Sequence, residues 1–201
     1  MNYINKKNKD FLLIIPARLK STRLPNKLIK VVDGKTVIEH VIDRCREVIH
    51  LENILVTKKN KRKFYISVQG DEIFVSPKSI KSVLDKLMTN KFDVINCYNS
   101  IDKNSNSENK NVPKIILDKK DYLIYASRSL IPGSKKTKTD YKIFKQVCIY
   151  GFKRNIVLKY YGKSKKKTTL ENIEDIEIIR LLENQVKIKM LKAKDSKIAI
   201  D

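Results

Sequence analysis

Tryptophan is absent from this chain of 201 residues. Its other aromatics are not interleaved with its lysine clusters, so the base-stacking platforms of a single-strand-binding protein are missing. Cysteine occurs three times, at Cys45, Cys97 and Cys148, each inside an apolar stretch and never in Cys-x-x-Cys spacing. That excludes a disulfide framework and a thiolate metal centre, and the three read as buried thiols. The two histidines, His40 and His50, are isolated on or near one helical pattern and suit surface or capping roles. No apolar run reaches bilayer-spanning length, no internal repeat occurs, and the polar start, residues 1–10, has no signal-peptide core. A cytoplasmic protein without membrane contact is expected.

Acidic residues are also scarce: 22 Asp and Glu stand against 44 Lys and Arg, for a formal charge of +22. Only eight of the 44 are arginine, leaving 36 lysines, and with many Asn and Ile this is what an AT-rich coding sequence produces. The clusters at 58–63, 135–136 and 163–167 support weak, salt-sensitive binding to polyanions. No nucleic-acid motif accompanies them, so no specific nucleic-acid partner is expected. The length suits one α/β domain, 1–201, with at most a small flap.

What the chain does have is concentrated in residues 14–28. The run Phe11, Leu12, Leu13, Ile14 and Ile15 is continuous rather than alternating, as in a strand covered on both faces. Pro16 ends the pairing. A loop with Arg18, Ser21, Arg23 and Lys27 follows, and from Thr36 the apolar positions Val37, Ile38, Val41, Ile42, Cys45, Val48 and Ile49 recur at helical spacing. Strand, basic loop, helix is a phosphate-binding arrangement. Ligands sit beyond the carboxyl ends of strands in open α/β sheets, where arginine forks and a lysine point charge meet phosphate oxygens.

A second apolar run, residues 64–68, ends in Gln69, Gly70, Asp71 and Glu72. A carboxylate at a strand tip suits Mg²⁺, a hard ion often held by one or two carboxylates plus substrate phosphates.

These residues carry a resemblance. Pro16-Ala17-Arg18, Ser21-Thr22-Arg23-Leu24-Pro25 and Lys27 resemble the N-terminal signature of the 3-deoxy-manno-octulosonate (Kdo) cytidylyltransferases, and the Gln-Gly-Asp-Glu turn matches the same family. So do the Ser127-Arg128 to Ile131-Pro132 stretch, the segment Ile149-Tyr150-Gly151-Phe152-Lys153-Arg154, the acidic helix around Glu171, Glu174, Glu177 and Arg180, and Ile198-Ala199-Ile200-Asp201. The resemblance implies transfer of a cytidylyl group from CTP to Kdo for lipopolysaccharide synthesis, by a homodimer using Mg²⁺. It implies Arg18 and Lys27 as catalytic, with CTP held by Ala17, Arg18, Ser21, Arg23, Lys27 and Gln69. It assigns the acidic sugar to Arg128, Gln146, Tyr150 and Glu177, and the metal to Asp71 and Asp201. Glu174 and Glu177, three apart, could share one helix face, and a solvated acidic face is the other reading of that spacing.

The departures are local. Between Val56-Thr57 and Phe64 the family has an Ala-Thr-Asp-Asp motif and a Ser-Gly-Thr-Asp-Arg motif, where this chain has only the basic bridge 58–63. Gln146 replaces His, Cys148 replaces Gly and Ile178 replaces Gln, and the helix that follows the last Asp is missing. Alternatives are therefore an inactive relic of the family or a cytidylyltransferase for another acidic sugar.

The remaining pattern alternates strand and helix, as a mainly parallel sheet flanked by helices with a small antiparallel flap requires. A helix is expected over 77–90, strands over 92–97, 147–152 and 186–192, a hairpin from 112–118 to 122–126, and one helix over 170–182. Residues 99–111 read as a polar, flexible loop, and 133–141 as a second basic one that in the family leads to the dimer flap.

Overall fold

Continuous apolar runs become the inner strands of one mixed sheet in the computed structural model, which describes residues 10–17, 24–55, 62–101, 108–133, 135, 141–162 and 166–194. In chain order the strands are β1 (Phe11–Ile14), β2 (Val31–Val32), β3 (Lys35–Thr36), β4 (Ile54–Leu55), β5 (Phe64–Val68), β6 (Val94–Ser100), β7 (Lys114–Leu117), β8 (Leu123–Ser127), β9 (Phe144–Lys153) and β10 (Lys189–Lys192). The helices are α1 (Val37–Arg46), α2 (Pro77–Met88), α3 (Arg154–Tyr160), α4 (Thr169–Glu174) and α5 (Ile179–Glu183). The main sheet has the order β10-β6-β9-β5-β1-β4, with the β7-β8 hairpin joined to β9, and β2-β3 form a separate two-stranded ribbon. Along that path only β9 runs against the rest. The expected class, mainly parallel with a small antiparallel flap, is what the fold shows.

Two apolar clusters hold the layers together. The larger takes Phe11 and Leu13 of β1 with Ile15 just past it, Phe64, Ile66 and Val68 of β5, and the buried apolar positions of α1 and α2. The smaller joins the hairpin, α3, α5 and β10 through residues such as Ile115, Leu123, Ile156, Ile179, Leu181 and Met190. Both long helices begin where local chemistry dictates. Thr36 and Glu39 form a reciprocal capping box at α1, and Ser76 followed by Pro77 starts α2. His40 Nε2 donates to the Val32 carbonyl at 2.7 Å, and His50 caps the short turn 51–53, as their isolation suggested.

Gly151 fixes how closely α2 approaches the sheet. A Cβ there would lie 2.8 Å from Val83 Cγ1 and 3.2 Å from Leu87 Cδ2. Gly151→Ala is expected to destabilise the fold by about 1–3 kcal/mol through overpacking, read as a lower urea midpoint with unchanged slope.

The structure corrects the expected helix over 170–182. Asp175 adopts a left-handed conformation (φ 49°), and the segment becomes two short helices, α4 and α5, separated at 175–178. The cause is tertiary. The Glu174 carboxylate accepts from Ser127 Oγ at 2.7 Å and from the Arg128 amide at 2.8 Å, while the carbonyls of Glu174 and Asp175 accept from the Arg128 guanidinium at 2.6 and 2.8 Å. Glu174 and Glu177 therefore share no helix face. β6 runs through Asn99 and Ser100, and α3 is an element without a sequence-based expectation.

Candidate active site

The site forms where the tips of β1 and β5 meet. Past β1 the Ile15 amide donates to the Leu55 carbonyl at 3.0 Å, and residues 18–23 lie outside the described residues. The chain returns at Leu24, turns through Asn26 in a left-handed conformation (φ 59°), and enters a single 3₁₀ turn, Lys27–Ile29. That turn aims Lys27 across at the end of β5, where its Nζ lies 3.2 Å from Asp71 Oδ2. Gly70 permits the approach. A Cβ at that position would sit 3.0 Å from the Pro16 carbonyl oxygen and 3.4 Å from Leu28 Cδ2. The two segments that the sequence marks for phosphate and for metal are thus packed against each other.

The turn carrying Asp71 is held by backbone bonds. The Gln69 amide donates to the Cys148 carbonyl at 3.3 Å and the Glu72 amide to the Gln69 carbonyl at 3.2 Å. On the other side of β9, a bulge between Asn96 and Cys97 shifts the β6-β9 register. Asn96, fully buried, donates from Nδ2 to the carbonyls of Val147 and Ile149, both at 2.9 Å, and accepts from Gln146 Nε2 at 2.9 Å. Gln146 is therefore one end of a buried amide network.

From Cys148 the site continues into a cleft. Burial pushes the Cys148 thiol well above its usual value, and the Glu72 carboxylate adds to this. Burial likewise raises Tyr150, with Cys148 and Glu177 contributing, so its phenol stays protonated across the physiological range. The Tyr150 ring stacks on Phe152 at 5.9 Å, and Phe152 meets Tyr161 edge-on at 5.8 Å. These rings wall a cavity of about 180 Å³ whose other lining includes Ile14, Ser67, Glu177 and Ile178. Its few polar groups, Ser67, the phenols and the Glu177 carboxylate, stand in an otherwise apolar lining.

Arg128 is placed differently. Its guanidinium donates to the carbonyls of Glu174, Asp175, Lys110 and Asn111 at 2.6, 2.8, 3.0 and 3.5 Å, tying the hairpin to the break after α4. Beneath it the buried Lys114 donates to the carbonyls of Asn109 and Arg128 at 2.8 and 2.7 Å, and burial, then the Arg128 charge, lowers its pKa. Nothing in the sequence pattern marks Lys114, because it opens a short apolar strand in a chain rich in lysine.

Among the sequence-derived candidates the structure thus brings Ala17, Lys27, Gln69 and Asp71 to one end of the sheet and Tyr150 and Glu177 to the adjoining cleft. Arg18, Ser21, Arg23 and Asp201 lie outside the described residues.

Burial pushes the thiols of Cys45 and Cys97 up to about 12. The native chain is expected to react slowly with a thiol-disulfide reagent at pH 8, and to yield three equivalents once unfolded. Because these folded values lie above an unfolded thiol near 8.5, their contribution to stability is complete below about pH 8.5 and falls as pH rises beyond it. Equilibrium unfolding at pH 7 and 10 checks the sign.

The cytidylyltransferase family model matches residues 12–62 and 52–188, and the chain belongs to that family. A 3-deoxy-manno-octulosonate cytidylyltransferase of Fusobacterium nucleatum is 32% identical over 228 residues, covering 95% of this chain and 91% of that protein. This likeness places the chain among the 3-deoxy-manno-octulosonate cytidylyltransferases. Another protein so named, from Rickettsia bellii, is 27% identical over 97% of the chain and 92% of its own length. The solved structure of a CMP:2-keto-3-deoxy-manno-octonic acid synthetase complexed with CTP superposes with a TM-score of 0.79 at 21% identity, covering 96% of this chain and 93% of that one. An alignment of 228 positions against a chain of 201 leaves at least 27 positions that this chain does not fill. The two family matches meet at 52–62, on the short bridge between β4 and β5, which is where the sequence shows the shortening.

Proposed function

We propose that this chain transfers the cytidylyl group of CTP to Kdo, the anomeric hydroxyl of the sugar attacking the α-phosphorus while pyrophosphate departs. The observation that carries this reading is the Lys27–Asp71 contact, which joins the phosphate turn to a carboxylate in the turn after β5, itself bonded through Gln69 to the β9 strand that walls the cleft with Tyr150. Charge builds on the α-phosphate oxygens and the leaving pyrophosphate, so the reaction asks chiefly for positioning and neutralisation. Lys27, with Arg18, Ser21 and Arg23 of the preceding loop, would hold the triphosphate, beside Ala17 and Gln69. In the cleft, Tyr150 and Glu177 would orient the acidic sugar, and the resemblance adds Gln146 and Arg128 to that role.

Mg²⁺ fits the donor set. Asp71 is partly open to solvent and its Oδ2 faces a cation already, so a hard divalent ion suits its remaining lone pairs. Asp71, with Asp201 as a second carboxylate, would hold the ion, which supplies charge neutralisation on the phosphates. The product would serve lipopolysaccharide synthesis in the cytoplasm, by a homodimer.

Pyrophosphate release from CTP with Mg²⁺ and Kdo tests the reaction. Release that matches CMP-Kdo formation is expected, whereas release only with a different acidic sugar would move the substrate assignment. Tyr150→Phe is expected to raise KM for the sugar about tenfold, the worth of one buried hydrogen bond, with KM for CTP little changed in steady-state kinetics.

A further inference from the structure

A second cavity, of about 250 Å³, is lined by Lys159, Tyr160, Lys166, Thr168, Arg180 and Asn184. Three of the six are cations and none is a carboxylate. Arg180 is the built part of it, with a side chain only 9% exposed. Its Nε and Nη2 donate to the two Glu171 oxygens at 2.7 and 2.9 Å, and Nη1 donates to the Tyr160 carbonyl at 2.6 Å. A guanidinium carries five N–H donors in one rigid plane. Two are therefore left without a partner among the described residues, on a side chain that lines the cavity.

The nearby acids are committed elsewhere. Glu171 also accepts from the Thr168 amide at 3.1 Å, Glu183 accepts from the amides of Leu170 and Glu171 at 3.1 and 3.3 Å, and Asp175 pairs with Lys167 at 2.6 Å. Lys159 and Lys166 have no carboxylate partner among the described residues and reach the same space from α3 and from the segment before α4. Tyr161 separates this cavity from the cleft. One side of its ring lies 5.0 Å from the Arg180 guanidinium carbon, its hydroxyl donates to the Glu177 carbonyl at 3.0 Å, and it lines the cleft itself.

We propose that this second cavity is an anion site, distinct from the cleft and the Lys27 turn, that takes a small phosphate-class oxyanion. The two unpartnered N–H groups of a nearly buried guanidinium can donate to phosphate oxygens, and two flexible ammonium groups meet the remaining charge. The assignment stands whether or not the transfer reaction above is correct, since it is read by binding alone.

The test is calorimetric titration of the full-length chain with inorganic phosphate, at low and at raised salt. The wild type is expected to bind. The double variant Lys159→Ala/Lys166→Ala is expected to bind at least about tenfold more weakly, the worth of one charge-assisted hydrogen bond. Lys159→Arg/Lys166→Arg and Lys27→Ala should each stay within about threefold of wild type on the same scale. Both lysines are exposed, so the folded content of the variants can be matched by circular dichroism. The proposal is overturned if the wild type does not bind, if the alanine pair binds as the wild type does, or if Lys27→Ala abolishes binding. A repeat with a phosphate monoester separates the sources: comparable affinity assigns a phosphorylated small molecule, and loss assigns the free ion.

Discussion

Asp71→Asn is expected to lower kcat/KM for CTP by about 10²–10³, a loss typical of removing one preorganised charge-stabilising group from a transition state. The substitution keeps the shape of the side chain and removes its charge. Asp71 sits at the end of β5 in a turn fixed by the Gln69 and Glu72 amides, so the turn itself is expected to stay in place. Lys27 would then face a neutral amide instead of the carboxylate 3.2 Å away, and the metal would lose its ligand on the described part of the chain. The ion pair is partly exposed and solvent-screened, so stability is expected to change little. Pyrophosphate release together with a melting curve separates the two effects. A folded Asp71→Asn chain with less than a tenfold loss would remove this carboxylate from the chemistry.

Glu171→Ala is expected to be the most damaging change to the fold, at about 3–5 kcal/mol, because it leaves the Arg180 guanidinium buried without its counter-charge. The pair is 9% and 3% exposed and bidentate, and Glu171 also closes the capping box at α4. For a chain of this size the loss corresponds to a fall in Tm on the order of 10 °C. The Lys35–Asp43 pair is an internal comparison. At 2.6 Å it is shorter than either bond between Arg180 and Glu171, yet its side chains are 56% and 43% exposed, and its removal is expected to cost under about 1 kcal/mol. Burial and not distance decides the difference. Denaturant unfolding of both variants checks it, and equal effects would contradict the argument.

Much of this fold was legible because its signals are local. The unbroken run at 11–15, the change to helical spacing at Thr36 and the turn at Gly70 each depend on residues close in sequence, and each has its expected structural consequence. The single helix expected over 170–182 failed for the opposite reason. Its apolar spacing continues through Asp175, but Ser127 and Arg128, nearly fifty residues earlier, draw the Glu174 carboxylate and the adjoining carbonyls away from helical geometry. α3 escaped notice since only Ile156 of its seven residues is buried. The aromatic cleft was legible only at Tyr150 and Glu177, through the family resemblance, because β1, β5, β9, α3 and the 177–178 corner each supply one or two of its walls. Arg128 was legible only through the resemblance of the Ser127-Arg128 to Ile131-Pro132 stretch, while its four carbonyl partners come from distant loops that no local pattern announces.

The central claim, that the Lys27 turn and Asp71 act on one triphosphate and its divalent ion, is tested most directly by a double-mutant cycle on kcat/KM for CTP with Lys27→Met, Asp71→Asn and the two combined. Groups that share one phosphate-metal cluster lose their contributions together. The double variant is therefore predicted to be hardly slower than the worse single variant. Losses that multiply independently, or a single variant with wild-type turnover, would contradict it.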